Sequence, residues 1–167
     1  MAGHRIKQYN GEEITHERVV RFLRRDYPGV IFRTDFAAGI KMTIGQASKH
    51  KRLQYRRAFP DLFIFKPVER DTPLGPVKYC GMGLELKAAN IKLKWSNGNW
   101  GTDHIREQAE MMHELEAAGY FCTFACGYEE ACAVIDWYLT GVPPVTFTDL
   151  VPQVQGLDVS SDDEEPF

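Results

Sequence analysis

Beyond Arg106 the chain of 167 residues contains neither lysine nor arginine. All 20 basic residues lie in positions 1–110 with 12 of the 23 acids, so a net charge of −3 conceals +8 in that part and −11 in the rest. Segregation of this kind points the first part toward a polyanion. Long apolar runs are also missing: none could span a bilayer, and the opening Met1-Ala2-Gly3-His4-Arg5-Ile6-Lys7-Gln8 lacks the apolar stretch of a secretory signal, so a cytoplasmic protein is expected. Cysteine is sparse. Cys80, Cys122, Cys126 and Cys132 form no Cys-x-x-Cys pair and have no histidine at zinc-ligand spacing, which argues for reduced packing residues and against a disulfide framework or zinc site. No internal repeat appears. With 44% apolar residues the chain supports one domain with a real core, expected over 1–150, followed by a tail at 151–167 too acidic and apolar-poor to pack.

Periodicity supplies the elements. Helical spacing of Val19, Val20, Leu23 and Tyr27 predicts a helix from about Glu12 to Asp26, stopped by Pro28-Gly29. Val30 to Arg33 reads as a strand, and Thr43 to Arg57 as a helix with Thr43 as its cap. Two apolar strands follow, joined by the Pro- and Gly-rich stretch Lys66 to Gly81. Lys92 to Trp100 suggests a small hairpin whose Asn97-Gly98 favours a type I′ turn. A helix through Gln108, a strand from Phe121 to Ala125 and an amphipathic helix from Tyr128 to Leu139 complete the chain.

The two strands carry the chemistry. Asp61 opens the run Leu62-Phe63-Ile64-Phe65, and Glu85 and Lys87 sit two apart in Gly83-Leu84-Glu85-Leu86-Lys87, so period-2 alternation places both on one face. Two carboxylates and an ammonium then converge. Such hard oxygen donors suit Mg²⁺ or Mn²⁺, which polarise a phosphodiester and acidify bound water, while a nearby lysine can orient that water. The bland alternative is a turn aspartate and a solvated ion pair worth little. Against it, Glu85 and Lys87 interrupt an otherwise apolar strand, where unpaired charge is costly.

Pro60-Asp61 followed by Glu85-Leu86-Lys87 resembles the PD-(D/E)xK nuclease superfamily. Gln108, on a helix ending at Ala118-Gly119-Tyr120, is similar to the Gln-then-Gly-Tyr arrangement of VRR-NUC nucleases, and the resemblance runs from about Glu12 to Leu139. It implies a restriction-endonuclease-like α/β core, an α-β-β-β-α-β mixed sheet flanked by helices. It also implies metal-dependent cleavage of nicked, flapped or branched DNA. A stand-alone nuclease this small fits a phage or mobile-element setting, whose compartment would be the host cytoplasm. Under that resemblance Asp61, Glu85, Lys87 and Gln108 are the catalytic set. Asp61, Glu85 and the Leu86 carbonyl would ligate Mg²⁺, or Mn²⁺ in its place, and Gln108 would help hold Lys87 or a phosphate. Related nucleases add an acid from the first helix. At 100° per residue Glu12 and His16 share the stripe of Val19 and Leu23, so Glu12 comes first, ahead of Glu17 and Glu13, with a helix-dipole role as the alternative. His16 reads as an inner-face histidine whose hydrogen bonds are met, since Mg²⁺ disfavours imidazole. Two rivals stand beside the nuclease: a non-cleaving DNA-binding accessory protein with the same fold, and a hydrolase of RNA or nucleotides.

Lys41, Lys49, Lys51, Arg52, Arg56 and Arg57, together with Arg106, form the expected DNA-binding set. Six such charges before Asp61 can neutralise several phosphates without reading sequence, or simply solvate a helix. Trp95 and Trp100 flank the hairpin tip, with base stacking and packing both open to them. The closing Asp162-Asp163-Glu164-Glu165-Pro166-Phe167 resembles the C-terminal tip of bacterial single-stranded-DNA-binding proteins, whose last phenylalanine enters pockets on replication and repair partners. That implies a protein partner for Phe167, against a solubilising or autoinhibitory tail.

Overall fold

Acids Glu12 and Glu13 in the first turn and Arg24 and Arg25 in the last complement the dipole of helix α1 (Gly11–Asp26), which buries Thr15, Val19, Phe22 and Leu23. The expected stripe is thus rotated toward Phe22, with Val20 only half-buried. Phe22 meets Tyr27 edge-on with ring centroids 5.7 Å apart, and the Tyr27 hydroxyl bonds Asp136, so contacts across the fold select the face. The computed structural model describes residues 11–34, 43–53, 55, 58–72 and 75–142. Lys41, Arg56, Arg57, the Lys51 side chain and the acidic end with Phe167 lie outside the described residues.

Strand β1 (Phe32–Thr34) precedes helix α2 (Ile44–Leu53). The Thr43 hydroxyl accepts from Gln46 N–H at 3.3 Å, and the Gln46 carboxamide oxygen accepts from Thr43 N–H at 2.9 Å, a reciprocal capping box. That cap was foreseeable; α2 is described as far as Leu53, and its expected end at Arg57 lies outside the described residues. Strand β2 (Leu62–Ile64) follows. The stretch expected merely to join two strands is itself a hairpin of β3 (Val68–Thr72) and β4 (Gly75–Tyr79). Its Pro and Gly content concealed an edge ribbon that is fastened from outside. Arg70 donates to the carbonyls of Trp137 and Tyr138, and the Tyr138 hydroxyl donates to the Lys66 carbonyl at 2.7 Å.

Strand β5 (Gly81–Lys87), helix α3 (Asp103–Ala117), strand β6 (Tyr120–Cys126) and helix α4 (Tyr128–Thr140) complete the order. The main sheet runs β1-β2-β5-β6, antiparallel except for β5 with β6. A parallel pair needs a crossover, and α3 provides it. This is the expected mixed sheet flanked by helices, with α2 and α4 also where periodicity put them; the β3–β4 hairpin is the addition. Among the described residues no helix is long and apolar enough to cross a membrane.

Every residue of β5 is buried. Met82, Leu84 and Leu86 join Val19, Leu23, Val134, Ile135 and Tyr138 in the larger core, between the sheet and helices α1 and α4. On the α3 face, Ile105, Ala109 and Met112 pack with Cys122 and Phe124 of β6. Gly83 lies between Pro60 and Cys122, where a Cβ would stand 3.0 Å from Pro60 Cγ and 3.1 Å from the Cys122 sulfur. Absence of a side chain there draws the Pro60-Asp61 segment against β5.

Candidate active site

Alternation in β5 leaves Glu85 and Lys87 on the side opposite Leu84 and Leu86, and both are buried, at 2% and 7% exposure. Burial of two charges requires partners. Lys87 Nζ lies 2.8 Å from Glu85 Oε1, and Gln108 Nε2 donates to the same oxygen from the middle of α3. Thr102 caps that helix by accepting from Ile105 N–H at 3.2 Å, which sets the phase that turns Gln108 inward. Gln108 therefore contacts Glu85 directly, where the expectation was that it would help hold Lys87 or a phosphate.

Asp61 arrives from the neighbouring strand. Leu62 pairs with Leu84, so Asp61, one residue earlier, comes level with Glu85, and its Oδ2 accepts from Leu86 N–H at 3.0 Å. Leu86 thus enters through its amide, tying the two carboxylate-bearing strands together. At the far end of β5, Gly127 N–H donates to the Lys87 carbonyl at 2.8 Å, fixing the backbone beside the lysine.

Both carboxylates lie above their ordinary range. Burial chiefly, then the negative charge of Asp61, pushes Glu85 up to about 8, with Lys87 opposing. Asp61 is raised by burial and by Glu12, while the Leu86 amide, His16 and Lys87 pull it down. The site is short of positive charge. Glu85 Oε2 is buried without a hydrogen-bond partner, and so are Gln108 Oε1 and His16 Nε2.

Those observations test the fit of a divalent cation. Mg²⁺ takes one or two carboxylates and completes its shell with water and substrate oxygens, so an adjacent Asp and Glu with a free buried carboxylate oxygen fit it. Glu12 is half-buried and close enough to act on Asp61, whereas Glu13 and Glu17 are exposed. Among the described residues no group of three or more His, Cys, Asp or Glu stands at metal-holding distance. His16 corrects the sequence reading: its Nε2 is buried and unpartnered. The helical stripe placed it inward, but no periodicity could reveal what stood opposite.

The other expected residues divide. Lys49 and Arg52 are exposed on α2. Arg106 is exposed and pairs with Glu110 at 2.8 Å and Asp103 at 3.5 Å, surface ion pairs of little energetic weight. Cys122 and Cys126 are held as thiols by burial, pushed up to about 12 and about 11, as packing residues should be.

A mixed sheet flanked by helices, with paired carboxylates where its two middle strands meet, defines the class of fold. More particularly, the fold is VRR-NUC-like: a solved structure described as a VRR_NUC domain protein is similar, with a TM-score of 0.52 over 79% of this chain and 90% of that one, at 20% identity. No family model matches the chain, and no curated protein matches its sequence.

Proposed function

We propose that the chain is a metal-dependent DNA endonuclease of the PD-(D/E)xK type that hydrolyses phosphodiester bonds in branched, flapped or nicked DNA. The observation that carries this reading is the buried contact of Glu85 with Lys87 and Gln108 beside Asp61, with one Glu85 oxygen left free. Asp61 and Glu85, with the Leu86 carbonyl, would hold Mg²⁺ or Mn²⁺. The bound ion would supply Lewis acidity toward the phosphate and a more acidic water. Lys87, anchored on a rigid strand, offers an ammonium that can orient the attacking water and offset charge growing on the phosphate. Gln108 keeps Glu85 in one rotamer. The exposed cations of α2 lie on the segment that leads to Asp61 and would take the DNA backbone by charge, independent of sequence.

The test is incubation of the purified chain with labelled linear, nicked, flapped and four-way DNA, and with RNA, in Mg²⁺, Mn²⁺ or EDTA. Cleavage of DNA that needs metal, reduced on the order of 100-fold or more in Asp61→Ala, Glu85→Ala and Lys87→Ala, is expected. Full activity in any of these variants would remove the mechanism. Binding without cleavage would identify an accessory protein, and cleavage confined to RNA would identify the other rival.

A further inference from the structure

We propose that Trp95 is a stacking platform for an unpaired DNA base beside the cleavage site, with Lys92 placed for the adjoining phosphate. The inference rests on the nuclease reading and deepens it by naming a feature of the substrate, a single-stranded segment next to a duplex.

The two tryptophans of the hairpin at 91–101 have opposite fates. Trp100 packs toward the core, its ring centroid 6.0 Å from that of Phe124, and belongs with Leu93 to the cluster beneath α3. It is an anchor. Trp95 is 52% exposed, and Lys92 Nζ stands over its ring at 5.1 Å. A ring has two faces, and a cation over one leaves the other for a base.

The tip is held, which makes stacking less costly in entropy. Trp95 N–H donates to Asn99 O at 2.8 Å, Gly98 N–H to Trp95 O at 3.0 Å, and Gly101 N–H to Leu93 O at 2.7 Å. Asn99 N–H donates to the Asn97 side chain at 3.1 Å, and Lys94 bridges to Trp100. Of the turn residues only Gly98 has positive φ, at 85°. The loop is therefore not the type I′ turn that Asn97-Gly98 suggested, which needs two such residues; a turn over Trp95–Gly98 closes on a left-handed glycine. That geometry puts Trp95 at the base of the turn.

Position and charge identify the occupant. The hairpin begins four residues after Lys87 and ends just before α3, which carries Gln108, so both of its ends are fixed to elements of the site. From Ala88 to Thr102 there is no acid, while Lys92 and Lys94 are present. Lys94 Nζ stands over the Trp100 ring at 4.4 Å, which leaves Lys92 as the cation at Trp95. An exposed aromatic face with a cation beside it, and no carboxylate in the segment to repel phosphate, is the chemistry that binds single strands.

The experiment is equilibrium binding of the full chain, in EDTA, to a labelled duplex with a single-stranded extension and to the same duplex blunt. Wild type should prefer the extended form. Trp95→Leu should lose on the order of tenfold on the extended duplex and nothing on the blunt one, whereas Trp95→Phe should keep most of the affinity. Lys92→Ala should reduce the salt slope on the extended duplex by roughly 0.7, the single-strand increment for one phosphate. An unchanged melting temperature in Trp95→Leu, expected of so exposed a residue, separates lost stacking from lost folding. No wild-type preference for the extension, equal losses on both duplexes, or no loss in Trp95→Leu would each overturn the proposal. Because the measurement is made without metal, failure to detect cleavage under any condition would remove the nuclease reading while this comparison still decides the platform.

Discussion

Replacing Glu85 by glutamine should make the metal-free protein less sensitive to rising pH. Glu85 has an ordinary value of 4.5 and is held up to about 8 in the fold, so folding favours its protonated form. Its contribution to stability is fully present below 4.5 and is lost as pH rises through about 8. At about 1.4 kcal/mol per pH unit, moving from about pH 5 to about pH 8 should cost wild type on the order of 3 kcal/mol more than Glu85→Gln. Asp61 is also raised, chiefly by burial, a cause that stays in both proteins. Glutamine can still accept from Lys87 and Gln108, which keeps the comparison close to one of charge alone. Urea unfolding in EDTA at several pH values measures the difference directly. In thermal melts the same free energy is roughly 10 °C for a domain of this size. Added Mg²⁺ should restore wild type near pH 8 by binding the folded state, and should do so far less in the variant. Parallel stability curves for the two proteins would refute the placement of Glu85 as a buried, charge-starved carboxylate.

Three other outcomes follow from the same contacts. Gln108→Leu removes a donor from a buried carboxylate, a contact worth roughly 1.5–3 kcal/mol, and should weaken Mg²⁺ activation of cleavage about tenfold or more; an unaltered metal titration would show Gln108 to be only a packing residue. Gly83→Ala should destabilise by about 1–3 kcal/mol, because its Cβ presses on Pro60 from one side and the Cys122 sulfur from the other and both must give slightly, and should lower activity through Asp61; a urea midpoint equal to wild type would contradict that close approach. Changing Lys49, Lys51, Arg52 and Arg56 together to alanine should weaken binding to every DNA sequence and flatten its salt slope by roughly 3.6 units, whereas an unchanged slope would put the DNA elsewhere on the surface.

What was legible in the sequence is what alternation and short spacing encode. Glu85 and Lys87 share a face because they are two apart, and the apolar run after Asp61 predicts the strand that brings it level with Glu85. Gln108 was legible as a residue but not as a contact, since the phase of α3 against β5 depends on Thr102 and on Ile105, Ala109 and Met112 packing beneath it. The β3–β4 hairpin was hidden because Arg70 holds it from the side by bonding the end of α4, a partner 67 residues away. His16 was seen to point inward, yet its unsatisfied nitrogen is a property of everything around it. Local pattern thus gave the faces, and distant contacts decided what each face meets.

That division explains how one strand can serve both fold and site. Met82, Leu84 and Leu86 are each 2% exposed or less and fasten β5 to the main core, while Gly83, Glu85 and Lys87 face the other way. Burial of each such apolar side chain contributes about 1.5–3 kcal/mol, which offsets the cost of keeping the Glu85 carboxyl and Lys87 out of water on the opposite side. A slip of one residue in the pairing with β2 or β6 would turn the charges into the apolar core, so the stability of the core and the position of the carboxylate are set by the same register. A carboxylate placed in this way keeps its geometry without support from loops. The parts of the chain left to vary are then the segments beyond the strand ends, which is where α2 leads into Asp61 and where the Trp95 hairpin leaves Lys87.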